Sequence, residues 1–152
     1  MPEELSVIKK AMADKSMERS AERAINTYFR QVVGTVKDFK WVSTGMRIAD
    51  VILAKLRSGH ISLNSYLFRI GKSDSPFCVF CNEVEEDVAH FVMQCPRFDV
   101  ERGRLRLGLE SLGIRDFNLR LLLTGGGFKP NVSMHVLRLT FIYVGDTKRL
   151  ID

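Results

Sequence analysis

All three cysteines of this chain fall within eighteen residues, and a histidine falls among them. The pattern is C-x2-C-x8-H-x4-C, carried by Cys78, Cys81, His90 and Cys95. Three thiols and one imidazole make a complete tetrahedral donor set for Zn2+. No other arrangement in the sequence constrains the fold as strongly, because four side chains spread along the chain must converge on one point. Two cysteines separated by two residues suit a tight turn, with Pro76 before it and Asn82 after it as turn formers. His90 and Cys95 are five residues apart. On an unbroken α-helix that spacing turns roughly 500°, about 140° off a common face. Cys95 is therefore expected just past the end of a short helix that starts at Asp87, and Pro96 supports the break. Asp87 at that start suits both capping and the helix dipole.

The site looks closed, with four protein ligands and no open position, so the expected role of the metal is structural. Four buried residues without a metal, or a redox C-x-x-C, are the alternatives. The second lacks the βαβ pattern that usually surrounds such a motif. Three cysteines cannot all pair within one chain, and reduced thiolates suit an intracellular setting, nucleus or cytoplasm.

The rest of the chain reads as mainly α. It is a small helical domain with a zinc clip, a turn plus a short helix, in its middle. Helices are expected over 3–13 and 16–38, the latter with Ala21, Ala24, Ile25, Tyr28, Val32 and Val36 on one stripe. A third is expected over 45–57, with Ala49, Ile52, Leu53 and Leu56 inward and Gly59 as its stop. Ser62 is a candidate cap for a short helix through Ile70. After the clip, Pro96 suits the first turn of a helix placing Phe98, Arg102, Leu105 and Leu109 on one face, with Gly113 as its end. Leu119–Leu123 is a short apolar helix or turn. Gly125-Gly126-Gly127 reads as a flexible joint, and Asn131 as the cap of a last helix carrying Val132, Val136, Leu139 and Tyr143 on one face. The organisation expected is 1–40 as an N-terminal helical segment, 41–115 as the zinc-binding core and 116–152 as a C-terminal helical segment.

With 152 residues and 45% apolar content, one core of ordinary proportion is affordable. The acidic start, Met1-Pro2-Glu3-Glu4, is unlike a signal peptide, and runs such as Val51–Ala54 are too short to span a bilayer. No membrane partner is expected. The formal charge of +5 permits a polyanionic partner without demanding one.

Beyond the ligands, specific residues recur upstream and downstream: Leu56-Arg57-Ser58-Gly59-His60-Ile61-Ser62-Leu63, then Ile70–Pro76, then Cys95-Pro96-Arg97-Phe98 with Arg102 and Leu105. Together they resemble the C-terminal zinc-binding region of reverse transcriptases from non-LTR retrotransposons of arthropods. There an LR-x-GH-x-x-L helix end precedes the CCHC ligands, and CP-x-F and an arginine follow. The resemblance covers roughly 41–110. The paired aspartates of a reverse transcriptase are not found, nor the converging carboxylates that an RNase H two-metal site needs. The chain thus resembles only the tail of such a polyprotein. Both an excised fragment and a tail retained as a host gene remain open.

The resemblance implies binding to RNA or DNA, but local charge moves that role away from the clip. Residues 76–95 hold four acidic residues and no Lys or Arg. Zn2+ with three thiolates adds a further formal −1, which repels phosphate. Contacts are expected instead from the flanks: Arg57, Arg69 and Lys72 before the clip, and Arg97, Arg102, Arg104 and Arg106 after it, where arginine forks suit phosphate. The competing reading is a solvated face with internal salt bridges. Arg102, sharing a face with Phe98 and Leu105, is also a candidate for burial against a carboxylate or helix end. His60 is a candidate partner to the metal ligands or a helix-end histidine bonded to backbone. Neither His60 nor His135 has an evident nucleophile or carboxylate beside it, so no enzyme and no small-molecule substrate are expected. A protein partner or homodimer is the alternative, through Tyr28, Phe29 and Val33, unless the protein's own zinc half covers them.

Overall fold

The computed structural model describes residues 28–34 and 42–150. The helix expected over 3–13 and much of the one expected over 16–38 lie outside these residues. Residues 28–33 are helical (α1), and Gly34 ends this stretch with a left-handed φ of 81°. The helices that follow are α2 (Arg47–Ser58), α3 (Asn64–Arg69), α4 (Asp99–Ser111), α5 (Leu119–Thr124) and α6 (Pro130–Thr147). Between α3 and α4 lie the cysteine turn, a π-helical turn (His90–Gln94) and a 3-10 turn (Pro96–Phe98). The protein is mainly α, with the Cys/His cluster in its middle. An isolated antiparallel bridge, Phe77 to Glu85, is the β-type pairing among the described residues.

Each element follows from a short list of local causes. Helix α2 buries Ala49, Leu53 and Leu56, while Arg47, Ile48 and Lys55 face outward. It stops at Gly59, whose φ of 78° places it in the left-handed region a glycine enters without a Cβ clash. At the N-terminus of α2, Asp50 reaches back to accept hydrogen bonds from Thr44 N–H at 2.8 Å and from the hydroxyls of Thr44 and Ser43. Those bonds outweigh partial burial and hold its carboxyl below the usual range.

Two expected caps are replaced by others. Leu63, not Ser62, precedes α3, and no side chain of its own caps it. Glu86 does so from across the fold: its carboxylate accepts the Asn64 N–H at 2.8 Å and its carbonyl accepts the Ser65 N–H at 3.1 Å. A cap supplied from 22 residues downstream leaves no trace in local spacing. Likewise Lys129, not Asn131, sits at the N-cap of α6, with Pro130 at the first helical position, where its missing N–H costs nothing.

Helix α6 organises the core, packing on α2, α4 and α5. Its buried residues are Ser133, Val136, Leu137, Thr140, Tyr143 and Val144. This is a stripe shifted from the expected one, in which Val132 and Leu139 are only partly buried. Thr140 donates its hydroxyl to Leu122 carbonyl at 2.7 Å, and Arg138 bonds Thr44 carbonyl at 2.7 Å. The triglycine is a built turn rather than a loose joint. All three glycines take positive φ, and a Cβ on Gly125 would meet Ser133 Cβ at 2.9 Å and its carbonyl at 3.0 Å. One buried cluster joins Val33, Phe91 and Val144, and so draws on all three stretches of the expected division. Each fully buried leucine or phenylalanine in it contributes about 1.5–3 kcal/mol.

Candidate metal centre

The cysteine turn is tied by main-chain bonds. Cys78 N–H donates to Val84 carbonyl at 2.9 Å and Asn82 N–H to Cys78 carbonyl at 2.9 Å. Asn82 turns the chain with a φ of 56°, a region that asparagine tolerates better than most side chains. The chain then runs through Glu86 into the short helix. Asp87 caps it as expected, accepting the His90 N–H at 2.7 Å.

The geometric difficulty posed by the His90–Cys95 spacing is solved by widening the last turn. Cys95 N–H bonds His90 carbonyl at 2.7 Å, a bond across five residues rather than four. Residues five apart thereby become neighbours across one turn. Cys95 itself is extended (φ −61°, ψ 120°), just outside the helix. The π turn was not foreseen from the spacing, although its outcome, Cys95 beyond the helix end, was.

The four ligand atoms all lie within 4.8 Å of one another. The Sγ atoms of Cys78 and Cys95 are 3.8 Å apart, and Cys81 Sγ is 3.5 Å from His90 Nε2. A tetrahedral centre with metal–sulfur distances of about 2.3 Å and a metal–nitrogen distance of about 2.0–2.1 Å has S···S edges of about 3.8 Å and S···N edges of about 3.5 Å. Two of the six edges therefore match those of such a tetrahedron, and the cluster can hold a metal ion. Cys78, His90 and Cys95 are buried and Cys81 is half-buried. All three thiols are free.

Protonation at two of the donors, His90 and Cys81, favours a cation as well. Burial lowers the His90 imidazole against the pull of Asp87 and Glu86, favouring the neutral ligand form. The Glu83 N–H, then the Cys78 side chain and the Val84 N–H, hold the Cys81 thiol below its usual range. Burial pushes the Cys95 thiol up to about 11, so without a cation Cys95 keeps its proton. His90 Nδ1 is buried and finds no hydrogen-bond partner among the described residues.

The structure divides the expected arginine surface in two. Arg57 and Arg102 are 2% and 5% exposed, so neither offers a phosphate contact. Arg57 donates Nε to Leu123 carbonyl, and burial lowers it to about 10. Arg102 is bonded to Val92 and Cys95 carbonyls, both at 3.0 Å, and to Asp99 at 2.7 Å. Arg69, Lys72, Arg97, Arg104 and Arg106 are exposed. Two of them lie over rings: Arg97 is 5.7 Å from the Phe80 centroid and Arg106 is 4.0 Å from that of Phe117. His60 is exposed, its ring edge-on to Tyr66 at 5.3 Å and outside the ligand cluster. Val33 is buried in the protein's own core, and Tyr28 donates to Leu56 carbonyl, so the face expected to meet a partner is largely covered.

Sequence reasoning missed Glu86 and Arg149. Glu86 stands in an acidic run that reads as surface, yet it is 1% exposed. It forms a two-point ion pair with Arg149, one bond at 3.0 Å, across 63 residues. Tyr143 was expected on the inner face of α6, but not its bond at 2.6 Å to Phe91 carbonyl, in the metal-site helix.

Fold and site together define a mainly helical protein built around a Cys3His centre that can hold a metal. A stretch of 74 residues is 31% identical to the retrovirus-related Pol polyprotein from type-1 retrotransposable element R1 of Bradysia coprophila, which supports a retrotransposon origin. The match takes in 49% of this chain and 7% of that polyprotein. No protein-family model matches the chain, and no solved structure matches it. Among the described residues, no helix is long and apolar enough to cross a membrane.

Proposed function

We propose that the chain is a non-catalytic, zinc-stabilised domain derived from the tail of a retrotransposon reverse transcriptase, and that it binds RNA or DNA through its exposed flanking basic residues. The observation that carries the reading is the convergence of four donors within 4.8 Å, two of their separations at tetrahedral edge lengths. Three thiolates with one imidazole favour zinc among the abundant divalent ions, and four protein ligands leave no open position for substrate water. Similarity to the R1 Pol polyprotein supports the origin. The exposed set Arg69, Lys72, Arg97, Arg104 and Arg106 supports the binding, after Arg57 and Arg102 are withdrawn from it. Arg97 beside the half-exposed Phe80 is a pairing suited to a phosphate next to an unstacked base.

The test is binding of fluorescent single-stranded RNA, single-stranded DNA and duplex DNA by anisotropy across a salt series. The expected result is affinity that falls steeply with salt, with the slope reduced by about 1 for each of Arg97→Ala, Arg104→Ala and Arg106→Ala that contacts phosphate. No binding at low salt would end the proposal. A second reading, a protein-interaction module, is favoured by Phe77, Val79, Phe80 and Val84, all 43% or more exposed around the cysteine turn. Sedimentation that shows self-association lost on Val79→Asp, with no nucleic-acid binding, would select it.

A further inference from the structure

The short helix that carries His90 ends at Cys95, and a helix end leaves carbonyls without intrahelical donors. Buried carbonyls must find a donor elsewhere. Two of them belong to Val92 and to Cys95, the last ligand. Both are met by a single side chain: Arg102 donates Nε to Val92 carbonyl at 3.0 Å and NH2 to Cys95 carbonyl at 3.0 Å. Its remaining NH1 bonds Asp99 Oδ1 at 2.7 Å, one turn back on α4. A planar guanidinium holds its donors in a fixed fork, so these three bonds fix the Val92–Cys95 segment against α4. The position of Cys95, the ligand that has to leave the helix, is set by this fork.

Charge points the same way. A buried cation is costly unless it is offset. Arg102 is 6% exposed at its side chain, while the Asp99 side chain is 70% exposed, so the carboxylate screens it only from the rim. A zinc-loaded Cys3His centre carries a formal −1, and Arg102 is bonded to the backbone of one of its thiolate ligands. Arg57 provides the contrast: it is equally buried and also bonded to a carbonyl, but that carbonyl belongs to Leu123 of α5.

We infer that Arg102 is a positioning residue of the metal centre, holding Cys95 in ligand geometry and supplying the positive charge that complements the loaded site. This rests on the zinc reading above. Removing such a partner weakens metal binding by about 10–100-fold in comparable centres. The experiment measures Zn2+ affinity by competition with a chromophoric chelator, and the visible spectrum of the Co2+-loaded protein, for wild type, Arg102→Met, Arg102→Lys, Asp99→Asn and Arg57→Met. Arg102→Met is expected to weaken Zn2+ by 10-fold or more and to perturb the Co2+ thiolate bands. Arg102→Lys, which keeps the charge and loses the fork, is expected to fall between it and wild type. Arg57→Met is expected to lower the melting temperature while leaving affinity within about twofold and the Co2+ spectrum unchanged. Wild-type affinity and spectrum in Arg102→Met would overturn the inference. So would an equal loss of affinity in Arg57→Met, which would reduce the effect to general stability. If Arg102→Met does not fold, unchanged affinity in both Arg102→Lys and Asp99→Asn overturns it instead. Failure of the wild type to bind either ion would remove the zinc reading itself.

Discussion

Single side chains at the centre carry measurable consequences. Tyr143 is buried, its hydroxyl is bonded to Phe91 carbonyl at 2.6 Å, and burial pushes its pKa up to about 12. In the unfolded chain the phenol titrates near 10. A group whose folded pKa is raised contributes stability that is present below about pH 10 and is lost as the pH climbs toward about 12, of order 2 kcal/mol over that span. Tyr28, raised by burial and by Asp87, adds to the same alkaline loss. Tyr143→Phe is expected to cost about 1 kcal/mol at neutral pH, by leaving Phe91 carbonyl without its donor, and to flatten denaturant-measured stability between pH 10 and 12. An alkaline limb as steep as that of wild type would contradict it. Asn82 makes a separate prediction: with φ at 56°, Asn82→Gly is tolerated, whereas Asn82→Val lowers stability by about 1–2 kcal/mol and weakens metal uptake. The four-residue cluster was legible because its chemistry is unusual and its spacing is short. Arg102 was legible in kind, since its place between Phe98 and Leu105 marked it for burial against a carboxylate or a helix end, and the structure supplies both, Asp99 and the Val92 and Cys95 carbonyls. Arg57 and Glu86 were not legible, because their partners lie 66 and 63 residues away.

Among the elements, what could be read from sequence was the interior of each helix, and what could not was its ends. Periodicity located α2 to within about two residues; Pro96 opens a 3-10 turn three residues before α4 begins at Asp99, and the apolar run that forms α5 was open between helix and turn. Caps depend on what the fold brings to a helix end, and so Glu86 displaced Ser62 as the partner of the α3 N-terminus. The π turn shows the same limit: a four-residue periodicity cannot announce one five-residue bond, which forms because Cys95 is needed off the helix. The joint between α5 and α6 is predicted to be rigid. Gly125 has a φ of 84° and Ser133 backbone within 3.0 Å of where a Cβ would stand. Gly125→Ala should therefore cost more than about 1 kcal/mol, lowering the melting temperature by several degrees. A loose joint would accept alanine at no cost.

For the molecule as a whole, the Cys/His cluster and the hydrophobic core are one structure rather than two. Phe80, Phe98, Phe91 and Tyr143 form a continuous run of ring contacts, with centroids 5.4, 5.5 and 5.9 Å apart, from the cysteine turn to α6. Metal binding in such centres contributes on the order of 10 kcal/mol to folding, which is comparable with the whole stability of an ordinary domain. Adding a strong chelator is therefore expected to lower the thermal midpoint steeply and to loosen amide protection in α6 as well as in Phe77–Phe98. Melting curves that superimpose with and without chelator would contradict this. The Glu86–Arg149 pair extends the dependence in time. The carboxylate that caps α3 and sits inside the metal segment is met by a cation 63 residues further on. On the ribosome, the clip is synthesised 63 residues ahead of Arg149, so its buried acid stays without this ion partner until those residues have followed. A chain cut after Thr147 would keep all four residues of the Cys/His cluster and every helix among the described residues, and still lack the counter-charge of its central acid.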